Sequence, residues 1–148
     1  MSKFRIGHVL GAFSIYECNC LCEVKAEEII YARESYPKDL WKGLIAEAVG
    51  EGYDGMYAVC CVYRNRLEKG MSLGCVGLKR KDLDEFVKRQ GKKYEYMAKE
   101  IIEEVFFNRN IDVTKGATHY ENIEVFGVPY WVKNMEITTK IGDHTFYK

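Results

Sequence analysis

Apolar residues recur at helical spacing through most of this 148-residue chain and alternate with polar ones near its end. Recurrence at i, i+3 and i+4 marks one face of a helix, and strict alternation marks a half-buried strand. The spacing predicts helices over 24–34 (VKAEEIIYARE), 37–49, 53–70, 79–90 and 92–109. Pro37 suits a first helical turn, and Gly70 suits a C-terminal cap. Residues 56–63 (MYAVCCVY) are apolar all round, which marks a buried central helix. Beyond residue 110, ATHYENIEVF (117–126) and MEITTKI with HTFYK (135–148) read as strands. Gly142-Asp143 is the hairpin turn between the last two. The expected fold class is α+β, a mainly helical body with a small C-terminal antiparallel β element.

The helix over 37–49 carries a carboxylate where the pattern turns. Leu40, Trp41, Leu44, Ile45, Ala48 and Val49 cover its apolar half, and Glu47 falls just outside Leu40 on the wheel. A carboxyl at an apolar lip is partly desolvated, which disfavours the anion and suits a proton donor. A solvated helix residue, or one paired with a nearby Lys, is the plainer reading of the same position.

Composition narrows the classes. Apolar residues make up 47% and charged residues 30%, with 22 Lys plus Arg against 22 Asp plus Glu. That neutrality argues against a duplex nucleic-acid binder, which shows a basic excess. A chain of this size buries roughly 68–70% of its unfolded surface, so it folds as one domain without a metal or disulfide staple. No apolar run is long enough to span a bilayer. Lys3 and Arg5 precede IGHVLGAFSIY, but His8 interrupts that run and no A-x-A-like site follows, so no convincing signal peptide is read. The six cysteines include Cys18, Cys20 and Cys22 but form no C-x-x-C, and the three histidines form no H-E-x-x-H, so no metal and no cofactor is expected. The N-terminal thiols read as buried hydrophobes, with disulfides or a metal as the alternative.

Three blocks then stand in order. AEAVGEGYDGMYAVCCVYRNR supplies Glu47, Ala48, Gly50, Glu51, Gly55, Asn65 and Arg66; DVTKGATHYEN covers 112–122; IGDHTFYK covers 141–148. Together they resemble the SleB-type (spore-cortex-lytic) cell-wall hydrolase family. Residues 1–36 have no counterpart in it, and DLDEFVKRQG (82–91) matches its intervening element poorly. The chain therefore divides into an N-terminal extension, 1–36, and a catalytic domain, 37–148.

The resemblance implies a lysozyme-like domain related to lytic transglycosylases. Its substrate is the glycan strand of peptidoglycan, at the MurNAc–GlcNAc bond, with Glu47 as the catalytic acid. It also implies action at the cell wall, reached by export or by release on lysis. The remaining candidates line up as substrate contacts. Thr118, Tyr120 and Asn122 share one strand face as a hydroxyl–amide row, with His119 on the other. Trp131 has the ring to stack on a sugar, and His144 shares a strand face with Phe146. Glu51 is the first candidate for a second carboxylate, ahead of Asp54, Glu121 and Asp112. Three alternatives stand beside this reading: a muramidase-type hydrolase, a glycan-binding module with an inert Glu47, and a cysteine amidase using Cys75, which sits in the loop LGCVG.

Overall fold

In a computed structural model the described residues are 36–148. The predicted helix over 24–34, Cys18, Cys20 and Cys22, and most of the proposed extension lie outside them. Helix α1 (Leu40–Ala48) enters after Asp39 and buries Leu40, Leu44, Ile45 and Ala48 on the face its sequence predicts. Each buried Leu or Ile side chain contributes about 1.5–3 kcal/mol of transfer free energy. A 3-10 turn, Val49–Glu51, then leads into α2 (Gly52–Glu68). From Met56 to Tyr63 every α2 residue except the half-buried Tyr57 is buried, so α2 is the central helix.

Where a helix is predicted over 79–90, the chain makes a 3-10 turn, Val76–Lys79, before α3 (Leu83–Gln90) begins. Asp84 and Glu85 in the first turn of α3, and Lys88 and Arg89 in its last, follow the helix dipole. Helix α4 (Lys92–Ile102) widens at its end into a π-helical turn, Glu103–Phe107. Helix α1 is the hub, packed against the Val76–Lys79 turn, α2, α3 and α4.

Three antiparallel strands close the domain: β1 (His119–Glu121), β2 (Ile137–Ile141) and β3 (His144–Tyr147), in the order β1-β3-β2. His119 pairs with Tyr147 and Tyr120 with Phe146. The β2–β3 hairpin turns at Gly142, whose φ of 58 is a left-handed value that glycine adopts without strain. The segment read as one strand over 117–126 divides in two. Its β part ends at Glu121, and Ile123–Phe126 form a one-turn helix, α5. The Asn122 side chain accepts from the Val125 N–H at 3.1 Å, a local bond that competes with strand extension. The architecture is α+β, a helical body with a small antiparallel sheet at the C-terminus.

The three sequence blocks meet in space. Asn65, at the end of α2, donates to Asp112 Oδ2 at 2.9 Å and to the Ala117 carbonyl at 2.9 Å. Arg66 donates to the Thr118 carbonyl at 2.9 Å, and the Thr118 N–H donates to the Tyr147 carbonyl at 2.8 Å. Glu51 accepts from the Asp143 N–H at 2.9 Å, tying the break between α1 and α2 to the hairpin tip. These bonds hold β1 against the C-terminal half of α2 and bring the sheet over the last turn of α1.

Candidate active site

Glu47 stands where α1, the Val76–Lys79 turn and β1 converge. It is half-buried, and the Leu40 and Leu44 side chains beside it on the helix are fully buried. The Gly77 N–H donates to Glu47 Oε1 at 2.6 Å. The Tyr120 hydroxyl donates to Glu47 Oε2. Both donors come from elements far from α1 in sequence, so the carboxylate is fixed by tertiary structure and not by its own helix. A Cβ on Gly77 would lie 2.6 Å from the Gly43 carbonyl oxygen and 2.8 Å from Glu47 Cγ, so only glycine lets this turn approach so closely.

Two clefts open on this carboxylate. The first, of about 540 Å³, is lined by Glu47, Gly77, Lys79, Arg80, Phe126 and His144, among others. The second, of about 360 Å³, is lined by Glu47, Arg66, Thr118, His119 and Trp131, among others. Val76, Tyr120 and Glu121 line both, as Glu47 does. The two are therefore lobes of one groove, with Glu47 at their junction. Its aromatic, hydroxyl and charged lining is the kind of surface that takes sugar rings on apolar faces and their hydroxyls on polar groups.

Of the residues singled out in the sequence, Glu47, Thr118, Tyr120, Trp131 and His144 come together around this groove. Thr118 contributes from a buried position, its hydroxyl 2.9 Å from His119 Nδ1. His119 does not turn away. It lines the second lobe with its ring centroid 5.1 Å from that of Trp131, because the Tyr130–Asn134 turn brings the indole over that side of the short strand. Burial, followed by the Arg66 charge, pushes the His119 imidazole below its ordinary range and favours its neutral form.

Asn122 and Glu51 go elsewhere. Asn122 lines neither lobe and caps α5. The Glu51 carboxylate, 12% exposed, faces the hairpin tip, where Oε2 accepts from Asp143 and Oε1 lies 3.9 Å from His144 Nδ1. The carboxylate that does share the groove with Glu47 is Glu121, which accepts from the Asn122 N–H at 3.1 Å. Strand alternation pointed to Thr118, Tyr120 and Asn122, and Glu121 stood behind Glu51 among the candidate second carboxylates.

Arg66, at the end of the first block, donates to the Ser72 and Thr118 carbonyls and lines the second lobe as well. The Val76–Arg80 wall was missed altogether. Its only sequence signal is the pair of glycines in LGCVG, at 74 and 77.

Cys75 is 6% exposed, and burial foremost pushes its thiol up to about 11, so it is neither open nor a thiolate as a nucleophile must be. Cys60, Cys61 and Cys75 are free thiols. Among the described residues no three His, Cys, Asp or Glu side chains cluster as metal ligands. None of the described helices is long and apolar enough to cross a membrane.

A family model described as Cell Wall Hydrolase matches residues 50–147, well over half of the chain. The match begins just after Glu47 and takes in Glu51, the Asn65–Arg66 pair, the Asp112–Asn122 block and the hairpin. No curated protein and no solved structure matches the chain. The chain thus belongs to the SleB-type Cell Wall Hydrolase family, whose members are hydrolases of cell-wall peptidoglycan.

Proposed function

We propose that the chain is a lytic transglycosylase that cleaves the MurNAc–GlcNAc bond of peptidoglycan with Glu47 as its one catalytic acid and base. The observation that carries this reading is the place of Glu47 at the junction of the two lobes, held there by Gly77 and Tyr120. A glycan strand laid along the groove would fill both lobes and bring one glycosidic oxygen to that junction. Each carboxylate oxygen of Glu47 has a lone-pair site left after its one wall donor, so a proton can be carried toward the groove.

In the proposed reaction Glu47 protonates the glycosidic oxygen, and the bond from the muramyl C1 to that oxygen breaks. The oxocarbenium-like muramyl unit is attacked by its own 6-hydroxyl. Glu47, now a carboxylate, takes that hydroxyl's proton and is restored, and the muramyl end closes as a 1,6-anhydro ring. Intramolecular attack gains from proximity and requires no activated water. Trp131, Thr118 and His119 would hold sugars in the second lobe, with His144, Lys79 and Phe126 in the first. The catalytic domain is taken as residues 37–148.

Glu121 supports a second reading, hydrolysis. An inverting glycosidase uses a second carboxylate to activate water, and a retaining one uses it as nucleophile. Glu121 shares the groove with Glu47, whereas Glu51 serves the hairpin. Mass analysis of fragments released from purified sacculi decides between the two. Transglycosylation yields ends one water lighter that resist borohydride. Fragments carrying the added water and reducible with borohydride would assign hydrolysis, with Glu121 as the partner of Glu47.

A further inference from the structure

Behind Tyr120 the hydrogen bonding continues into the core. The Tyr120 hydroxyl is 3.4 Å from that of Tyr63, on α2, whose side chain is fully buried. A line of three groups thus runs from the groove to the interior: Glu47, Tyr120, Tyr63.

Counting hydrogens fixes its direction. An ionised Glu47 only accepts. Tyr120 has one hydroxyl hydrogen and gives it to Glu47, so its oxygen is left to accept from Tyr63. Burial holds Tyr63 and Tyr120 protonated, reinforced at Tyr120 by the Glu47 charge. The line has one opposite arrangement, in which a proton on Glu47 Oε2 points into the wall and every hydrogen reverses. In that arrangement the proton is turned away from the substrate.

We propose that Tyr63 is a positioning residue that keeps the Tyr120 hydrogen on Glu47 and so leaves the transferable proton of the acid on the groove side. This rests on the reading of Glu47 as the catalytic acid. At 3.4 Å the Tyr63–Tyr120 bond is long for a hydroxyl pair, so its effect is on direction and polarisation and not on substrate affinity. The other charged or titratable groups that line the groove around Glu47 are Lys79 and Arg80 beside the turn, Arg66 on α2, His119 and Glu121 on β1, and His144 on β3.

The test uses the full chain and its Tyr63→Phe variant. Two readouts are taken: carbon-13 NMR titration of the Glu47 carboxyl, and the pH profiles of kcat and KM on purified sacculi. Loss of the donor weakens support for the anion, so Glu47 holds its proton to higher pH. In Tyr63→Phe the titration midpoint and the alkaline limb of kcat move upward together. The same variant loses about 3–10-fold in kcat with KM unchanged, the scale of one modest hydrogen bond. If Tyr63→Phe fails to fold, the buried Tyr63 hydroxyl proton of the wild-type chain carries the test, and its proton NMR signal shifts as Glu47 titrates. An unchanged Glu47 titration in the variant, a loss confined to KM, or a Tyr63 hydroxyl signal that ignores the Glu47 titration overturns the proposal. Should the wild-type chain show no turnover, the reading of Glu47 as an acid falls, and the NMR titration still decides whether the line reaches it.

Discussion

Asp112→Asn is the sharpest probe of how the second sequence block holds the site. The Asp112 carboxylate accepts four hydrogen bonds. Oδ1 takes the Thr114 N–H at 2.8 Å and the Thr114 hydroxyl at 2.6 Å, and Oδ2 takes the Gly116 N–H at 2.7 Å and Asn65 Nδ2 at 2.9 Å. Burial alone would push this carboxyl up. The bonds from Thr114, Asn65 and Gly116 together outweigh it and leave the group below its ordinary value. An amide fits best with its NH2 on the Thr114 side, where the hydroxyl can turn to accept, but the Thr114 N–H bond is lost and the charge behind the other bonds goes with it. Hydrogen bonds to a charged group contribute about 1.5–3 kcal/mol each, but water reaches this half-buried turn and recovers part of the loss. The expected cost is therefore about 2–3 kcal/mol, or a fall in melting temperature of roughly 6–12 °C for a domain of this size.

The sign of the pH dependence follows from linkage. A carboxyl whose folded value lies below its unfolded value of about 3.9 contributes stability that is fully present above that value. The contribution fades as pH falls through the folded value. Melting curves followed by circular dichroism at neutral pH should separate the two proteins, and the gap should narrow as the pH falls below 4. Melting temperatures within about 2 °C at neutral pH, or a gap that persists unchanged in acid, would refute this account of the turn.

Two further outcomes follow from the geometry of the site. Gly77→Ala forces its new methyl against the Gly43 carbonyl and Glu47 Cγ, which pushes the turn off the carboxylate. We expect turnover on sacculi to fall about 100-fold, with about 1–3 kcal/mol of overpacking cost in chemical denaturation, and wild-type turnover would contradict this. Glu51→Gln should loosen the hairpin tip, read as faster amide exchange at Asp143, while turnover stays within about threefold of wild type. A loss of turnover as large as that from an acid would return Glu51 to the catalytic machinery.

The helical body was legible because its signal is local. Leu40, Leu44, Ile45 and Ala48 declare their face within one helix, and the unbroken run from Met56 to Tyr63 declares a central one. Glu47 stood out for the same reason, as a carboxylate at the edge of an apolar face. What stayed hidden depends on contacts between distant residues. Nothing near Gly77 in sequence says that its N–H meets a carboxylate 30 positions earlier, or that Tyr63 lies behind Tyr120 across 57. The segment after Tyr120 misled because NIEVF has strand-forming residues, while Asn122 and Gly127 bracket them as a capped turn of helix. Glu51 drew attention by standing one turn from Glu47, but the 3-10 turn at Val49–Glu51 and the pull of the Asp143 N–H send its side chain to the hairpin.

The most direct measurement of the central claim is the rate at which wild-type chain and Glu47→Gln release soluble fragments from purified peptidoglycan, with melting curves taken in parallel. The amide keeps the shape of the side chain and removes the transferable proton. The account predicts that the variant folds, melts near the wild type and loses at least about 10²–10⁴-fold in turnover. A folded Glu47→Gln that cleaves at the wild-type rate would contradict it, and so would a wild-type chain that binds peptidoglycan and releases nothing.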